Sequence, residues 1–142
     1  MNDKPFSTFV DTNIFIYALD ELEKAKSEVA LDLIMQLHTN HNLTVSNQVV
    51  REFFNVFCKP GRGLSEHDYT LFAEQVLEPN CKTIENYGFL SSALVLREAH
   101  GVSYYDSLIL QAAMDAGCTT LYSEDFQHGR MYDTVKVINP FV

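Results

Sequence analysis

The chain alternates short apolar runs with longer stretches in which apolar residues recur at helical spacing. Short apolar runs bounded by turn residues are typical of buried strands, and the longer period is typical of amphipathic helices. Strands that are joined by helical crossovers pair in parallel, with helices packed on the sheet. The sequence therefore predicts an α/β layered fold.

The positions of the strands and helices follow from this pattern. The predicted strands are residues 6–10, 43–46, a short one near 82–84, 119–122 and 135–138, and the predicted helices are 13–19, 25–37, 48–58, 66–77, 87–100 and 105–116. A break rich in turn formers, Lys59-Pro60-Gly61-Arg62-Gly63, ends the third helix, and Gly117 stops the last one in the C′ position.

Length and composition bound the class of protein. The 142 residues predict one domain spanning 1–142, and 46% hydrophobic with 20% charged residues is ordinary globular composition. No apolar run approaches the roughly 20 residues that span a bilayer, so we expect a cytoplasmic protein without a membrane segment. The three cysteines form no CxxC pair, which argues against a disulfide framework or a zinc knuckle.

The charge balance excludes one class of function. The chain has 10 Lys and Arg against 19 Asp and Glu, a net charge of −9 and a pI of about 4.8. Proteins that hold nucleic acid by bulk charge are basic, so tight, nonspecific DNA binding is disfavoured. A phosphodiester substrate is still compatible with the chain if divalent cations supply the positive charge locally.

Four carboxylates are flanked by apolar residues, either at the end of a predicted strand or helix or within the apolar face of a predicted helix: Asp11, Glu52, Asp106 and Asp125. Two unit charges about 4 Å apart repel by about 4 kcal/mol at an effective dielectric near 20. A tight group of four would therefore consume much of the roughly 5 to 15 kcal/mol that stabilises a domain. A bound divalent metal would reverse the sign, and all four acids project to one predicted edge of the sheet.

Glu52 is the strongest anomaly among the four. A helix through Val49, Phe53 and Val56 places it inside the apolar stripe rather than on the solvated face. A shift of the helix by one or two positions, or pairing with Arg51, is the structural alternative, although consecutive helical residues do not face each other. We favour a functional role.

The other three acids have adequate structural explanations. Asp11 can cap the first helix, and Asp106 lies three residues after Ser103, which is the spacing of a capping box variant. Ser123 and Asp125 can stabilise the turn after a strand. These alternatives stay open when each segment is taken alone.

Four segments taken in order resemble the PIN domain family, and within it the VapC-like toxins of prokaryotic toxin–antitoxin pairs. The resemblance covers nearly the whole chain, and its residues are Phe9-Val10-Asp11-Thr12-Asn13, Ser46-Asn47-Gln48-Val49-Val50-Arg51-Glu52-Phe53 with Asn55-Val56, Tyr105-Asp106-Ser107, and Leu121-Tyr122-Ser123-Glu124-Asp125-Phe126 with His128-Gly129. Any one segment is weak evidence, whereas four at suitable spacing are specific.

The resemblance implies a three-layer α/β/α sandwich around a central, mostly parallel sheet of four to five strands. It also implies that Asp11, Glu52, Asp106 and Asp125 are the catalytic acids, that they hold Mg²⁺ or Mn²⁺, and that the protein cuts RNA. A protein antitoxin and a homodimer are the implied partners. The fourth acid is assigned to Asp125, with Glu124 as a possible substitute.

The proposed chemistry is in-line hydrolysis by a water that a carboxylate-bound ion activates. Asn13 and Ser123 resemble residues that orient the carboxylates or metal-bound water. Arg62 and Arg51 are the predicted substrate contacts, ahead of Lys59 and Arg130, because guanidinium can hold phosphate with two hydrogen bonds. Three tyrosines can either stack on bases of the substrate or pack in the core: Tyr17, Tyr104 and Tyr105.

Two functions of other classes are kept as alternatives. The first is a noncatalytic interaction module that retains the fold and the acidic pocket. The second is a phosphotransfer or dehalogenase-like enzyme with Asp11 as nucleophile, which is weakened by the sequence Asp11-Thr12-Asn13, since no second Asp follows two residues on. Metal titration separates the first alternative from a nuclease, and trapping of an aspartyl adduct separates the second.

Overall fold

A computed structural model describes residues 7–142 of the chain. In this part of the chain, five strands form one sheet: β1 (Thr8–Val10), β2 (Leu43–Thr44), β3 (Thr120–Tyr122), β4 (Met131–Tyr132) and β5 (Val135–Ile138). The sheet order is β2-β1-β3-β5-β4, and every pairing is parallel except that of β4 with β5. The predicted α/β fold with a mostly parallel sheet of four to five strands is confirmed.

Six α-helices accompany the strands in the same part of the chain. They are α1 (Thr12–Ala18), α2 (Lys24–Thr39), α3 (Asn47–Phe57), α4 (Glu66–Phe72), α5 (Tyr87–His100) and α6 (Tyr104–Asp115). Helix α1 packs against α2 and α3, and α5 packs against α6. Within residues 7–142, no helix is both long enough and apolar enough to cross a membrane.

The central strand is buried on both of its faces. Phe9 and Val10 are each 0% exposed, and successive strand residues point to opposite faces of a sheet. Both faces are therefore covered, as a layered α/β/α arrangement requires. Strand β1 pairs with β2 on one side and β3 on the other, so it lies in the interior of the sheet.

An aromatic cluster anchors α3, the helix that carries Glu52. The ring of Phe53 stacks on Phe72 with centroids 5.7 Å apart, and it lies 4.8 Å from the ring of Phe57. Phe15 of α1 contacts the same Phe72 ring edge to face at 6.3 Å. Since Phe53 is 0% exposed, the rotation of α3 about its axis is determined by this packing.

The structure corrects the predicted elements at two places and adds one strand. No strand forms at 82–84 among the described residues: Cys81 makes one isolated bridge to Val45, the pairing ends at the bond from Lys82 N–H to the Val45 carbonyl, and Ile84 is 80% exposed. The predicted helix 66–77 ends at Phe72 and continues as a π-helical turn, Ala73–Leu77, before a 3-10 turn, Glu78–Asn80.

The added strand is β4, which the sequence pattern missed because a strand of two residues has no measurable alternation. The other elements in the described residues agree with their predicted positions to within two residues. The predicted start of the first strand at residue 6 lies outside the described residues.

Candidate active site

Two neighbouring strands bring the first and last segments of the acid pattern to one edge of the sheet. Strands β1 and β3 are parallel, with Val10 opposite Tyr122, and the N–H of Asp11 donates to the Tyr122 carbonyl at 3.0 Å. The chain leaves both strands at the same edge, where ligands of open α/β sheets bind. Asp11 follows β1 directly, and Ser123 to Asp125 follow β3.

Asp11 is the buried centre of this edge. It caps α1, with its Oδ1 accepting the N–H of Thr12 at 2.8 Å, and its Oδ2 accepts the hydroxyl of Ser123 at 2.8 Å. Burial raises the pKa of the Asp11 carboxyl from 3.8 to about 7; the two hydrogen bonds oppose the increase, and the charges of Asp125 and Glu52 add to it. The Asp11 carboxyl is buried and accepts a hydrogen bond at each of its oxygens, which argues against the aspartyl-adduct alternative because neither oxygen is free to attack a substrate.

Glu52 reaches the same edge from α3. Helix α3 begins after Ser46, whose hydroxyl accepts the N–H of Val49 at 3.4 Å. The Glu52 carboxylate accepts a hydrogen bond from the Thr12 hydroxyl at 2.6 Å. Glu52 therefore contacts the residue that directly follows Asp11 in the chain. Arg51 points elsewhere and pairs with Glu85 at 3.7 Å, so the predicted alternative of an Arg51–Glu52 pair does not form.

Asp106 is placed by the start of α6. The Ser103 hydroxyl accepts the N–H of Asp106 at 3.1 Å, and the side chain of Gln48 on α3 donates to the Tyr105 carbonyl at 3.3 Å. Burial raises the pKa of Asp106; a hydrogen bond from Ser103 opposes the increase, and the charges of Asp125 and Glu52 add to it. The structure therefore forms the Ser103 cap and also brings Asp106 into the field of two other predicted acids.

Asp125 and Glu124 diverge although they are consecutive. Asn13 Nδ2 lies 3.5 Å from both carboxylate oxygens of Asp125, and the N–H of Asp125 donates to the Ser123 hydroxyl at 3.0 Å. Glu124 instead pairs with Lys26 at 2.9 Å. Burial raises the pKa of Asp125; hydrogen bonding with the Asp11 carboxyl opposes this increase, and the charges of Glu124 and Glu52 add to it. Of the two candidates, Asp125 faces the other acids.

The charges of Asp125 and Glu52 thus influence the pKa values of other predicted acids, but the four carboxylates do not converge tightly enough to surround an ion. Among residues 7–142, no group of three or more histidine, cysteine, aspartate or glutamate side chains is tight enough to hold a metal ion. The ion pairs in this part of the chain are Lys26–Glu124, Arg51–Glu85 and His100–Asp133, so none neutralises a member of the group.

The donor set nevertheless fits a hard divalent cation in kind. Mg²⁺ and Mn²⁺ prefer carboxylate oxygens, and a cation would offset both the burial that chiefly raises the pKa of Asp11 and the charges of Asp125 and Glu52 that add to it. Three of the carboxylates are each held by a polar neighbour: Thr12 donates to Glu52, Asn13 to Asp125, and Ser123 to Asp11.

The predicted substrate contacts are placed less favourably. Arg51 is paired with Glu85, and Arg62 lies over the Phe57 ring at 5.8 Å. Arg62 lines a cavity of about 240 Å³ whose walls include Asp20 and Glu21 but none of the four predicted acids. Tyr105, which directly precedes Asp106 in the chain, is 64% exposed, and its ring packs edge to face against that of Tyr104 at 5.4 Å.

Sequence reasoning gave no role to Thr12, Gln48 or Lys26. Thr12 donates to Glu52 and Gln48 joins α3 to the start of α6, while Lys26 pairs with Glu124. Thr12 adjoins Asp11, and this adjacency was the available signal. The sequence gives no comparable signal for Lys26, because its partner Glu124 is remote in the chain and a lysine at this position of a helix is expected to be an ordinary surface charge.

Comparison with known proteins agrees with this geometry. The sequence profile of the PIN domain matches residues 8–133. The chain belongs to the PIN domain family. PIN domains are generally nucleases and usually bind divalent metals. The crystal structure of FitAcB from Neisseria gonorrhoeae has a similar fold, with a TM-score of 0.69 and 17% sequence identity over 94% of this chain and 98% of that chain. No curated protein matches the sequence.

Proposed function

We propose that this PIN domain is an endoribonuclease that depends on Mg²⁺ or Mn²⁺ and is the toxin of a toxin–antitoxin pair. One observation carries the proposal: Asp11 is 5% exposed and its pKa is raised to about 7, first by burial and further by Asp125 and Glu52. A fold keeps such a costly group where function requires it. Membership of the PIN family supplies the reaction class.

The proposed roles follow from the contacts. Asp11, Glu52, Asp106 and Asp125 would hold the ion, which would supply the positive charge that activates a water and stabilises the leaving oxygen. The substrate would be an RNA phosphodiester, as in the VapC-like toxins that the chain resembles. No residue of the group needs to become a covalent nucleophile.

Three polar side chains would keep the acids oriented in this reaction. Ser123 donates to Asp11 at 2.8 Å, Thr12 donates to Glu52 at 2.6 Å, and Asn13 lies 3.5 Å from Asp125. Partners that hold metal ligands typically contribute 10-fold to 100-fold to metal affinity or activity. We assign Asn13 and Ser123 this role, as the resemblance implies, and add Thr12.

The charge of the protein makes an ion necessary for such a substrate. A net charge of −9 and four acids at one edge repel a phosphodiester. Arg51 is paired with Glu85, so its free charge toward a substrate is reduced. We propose Arg62, in its glycine-flanked loop, as the phosphate contact that is free to move toward RNA.

The partners are also part of the proposal. By its resemblance to VapC-like toxins, the chain would act in the cytoplasm, form a homodimer and be restrained by a cognate protein antitoxin. Coexpression provides a direct test of the antitoxin, because a toxin that arrests growth alone should be tolerated when its partner is present.

The decisive experiment compares two substitutions on α6. Asp106→Asn removes a proposed ligand, and Asp115→Asn removes an exposed carboxylate at the far end of the same helix. Each protein is assayed for cleavage of cellular RNA with Mg²⁺, with Mn²⁺ and with EDTA, and for growth arrest when expressed alone.

Asp106→Asn should lose activity by more than about 100-fold, since even partners of metal ligands contribute up to that factor. Asp115→Asn should retain activity, and circular dichroism should show both proteins folded. Cleavage that persists in Asp106→Asn and in Asp11→Asn, or that is unaffected by EDTA, would refute the proposal.

A further inference from the structure

Lys26 is a contact point for four segments near the acid group. Its ammonium lies 2.9 Å from the carboxylate of Glu124 and 3.4 Å from the hydroxyl of Tyr17. It also lies 4.5 Å from the centroid of the Tyr17 ring and 5.2 Å from that of Phe141. Helix α2 is thereby joined to α1, to the turn after β3 and to the end of the chain.

The turn after β3 gives this contact its importance. Ser123, Glu124 and Asp125 are consecutive; the Ser123 hydroxyl accepts the N–H of Asp125 and donates to Asp11. Glu124 therefore brings a further negative charge within one residue of a proposed ligand. The Glu124 carboxylate instead forms an ion pair with Lys26, and in this position the Glu124 side chain is only 20% exposed.

We infer that Lys26 is a positioning residue, which holds Glu124 against α1 and α2 and so keeps Asp125 directed at Asp11. The inference rests on the proposed metal-dependent function. Tyr17 and Phe141 pack edge to face at 5.2 Å and form the aromatic floor on which the ammonium sits. Without the ammonium, Glu124 loses its charged partner and keeps only the neutral Tyr17 hydroxyl, so its carboxylate can turn toward the acids and the turn that presents Asp125 loses its outer restraint.

A purely electrostatic role for Lys26 predicts the opposite effect on metal binding. Loss of a positive charge near an acidic site makes the local potential more negative, which favours a cation. Loss of a positioning residue misplaces a ligand and weakens binding. The direction of the change in metal affinity therefore distinguishes the two roles.

The test is calorimetric titration of the full chain with Mn²⁺ and Mg²⁺. Lys26→Met should raise the Kd for the metal by about 10-fold or more, the range typical of residues that hold metal ligands. Lys26→Arg, which retains the charge and the donors, should restore binding to near the wild-type value. Lys24→Met makes the same change of charge two residues earlier on α2, and it should leave the Kd unchanged or slightly lower.

A double substitution tests whether Lys26 acts through Glu124. If it does, Lys26→Met combined with Glu124→Gln should bind metal more tightly than Lys26→Met alone, because no second carboxylate is left to intrude. Strictly additive effects, or a Kd in Lys26→Met that is unchanged or lower than wild type, would overturn the inference.

Hydrogen exchange of the metal-free protein separates this inference from the proposed function. The N–H of Asp125 is bonded to Ser123, and Lys26→Met should make its exchange at least about 10-fold faster, with no such change in Lys24→Met. If the wild type binds neither ion, the proposed function fails, and the exchange result still decides the role of Lys26. Unchanged exchange at Asp125 overturns the positioning role even where metal binding is intact.

Discussion

Replacing Asp11 by asparagine tests the electrostatics of the candidate site most directly. Burial, chiefly, raises the pKa of this carboxyl from 3.8 to about 7. Unfolding returns the group to its ordinary value, so the two states differ by about three pKa units. At about 1.4 kcal/mol per unit, this difference corresponds to about 4 kcal/mol. That is a large share of the roughly 5 to 15 kcal/mol by which domains are stable.

The direction of the pH dependence follows from which state holds the proton more tightly. Folded protein retains the Asp11 proton to higher pH than the unfolded chain. The contribution of this group to stability is therefore fully present below about pH 4, is lost as pH rises to about 7, and is level above that. Metal-free wild-type protein should thus lose about 4 kcal/mol of stability across this window relative to a variant without the carboxyl.

Asparagine keeps most of the local hydrogen bonding. In the wild type, the N–H of Thr12 lies 2.8 Å from one oxygen of the Asp11 carboxylate, and the side-chain carbonyl of asparagine can still accept this hydrogen bond. The asparagine NH₂ group, however, replaces the oxygen that accepts from Ser123. Rearranging that bond is expected to cost about 1 kcal/mol. We therefore expect Asp11→Asn to be about 3 kcal/mol more stable than wild type at pH 8 and about 1 kcal/mol less stable at pH 4.

Urea denaturation in EDTA between pH 4 and pH 8.5 measures this difference. Asp32→Asn, which changes an exposed carboxylate on α2, is the matched control, and its difference from wild type should vary little with pH. Curves for Asp11→Asn and wild type that run parallel across the whole range would refute the argument that Asp11 is held in the fold against its charge.

Addition of metal should reverse the order of stability. A ligand that binds only the folded state at about 1,000 times its Kd stabilises that state by about 4 kcal/mol, which exceeds the lead of about 3 kcal/mol expected for Asp11→Asn at pH 8. Saturating Mg²⁺ should therefore stabilise the wild type at pH 8 and leave Asp11→Asn nearly unchanged. An equal response of the two proteins would place the ion elsewhere.

Two further predictions concern the substrate. Tyr105→Ala should raise KM for single-stranded RNA by about 5-fold to about 150-fold, the equivalent of the roughly 1 to 3 kcal/mol of one stacked base, because Tyr105 directly precedes Asp106 in the chain and is 64% exposed. Tyr87→Ala, which removes an 84% exposed tyrosine at the start of α5, the end of that helix opposite the one that leads into α6, should not change KM in the same steady-state assay. Arg62→Glu should weaken RNA cleavage without changing the Kd for Mn²⁺ in calorimetry, and unchanged kinetics would remove Arg62 from the phosphate contacts.

Local pattern was sufficient for most of the fold. Alternation and helical period predicted β5 at its observed bounds and α5 at both of its ends, because each has a strong apolar pattern and clear boundary residues. The same reasoning failed at 82–84, where apolar Ile84 is exposed. Whether such a short segment pairs depends on a partner strand, and β2 offers only two residues.

The candidate site divides in the same way. The anomaly of Glu52 was visible in the sequence, because an acid inside an apolar stripe conflicts with helical period, and the structure places it against Thr12 beside Asp11. The weak position of Arg51 as a substrate contact was not visible, since its partner Glu85 is distant in the chain. Ion pairs between residues that are distant in the chain have no periodic signature.

The amino-acid sequence alone was enough to predict a parallel α/β sheet and to direct attention to one of its edges, because periodicity and turn residues are local properties. Only the folded chain decided that Asp125 faces Asp11 while Glu124 turns to Lys26. Two consecutive acids in a short turn are equivalent until remote residues contact them. The direction of each side chain is therefore a tertiary property, determined by packing between α1, α2 and the turn after β3.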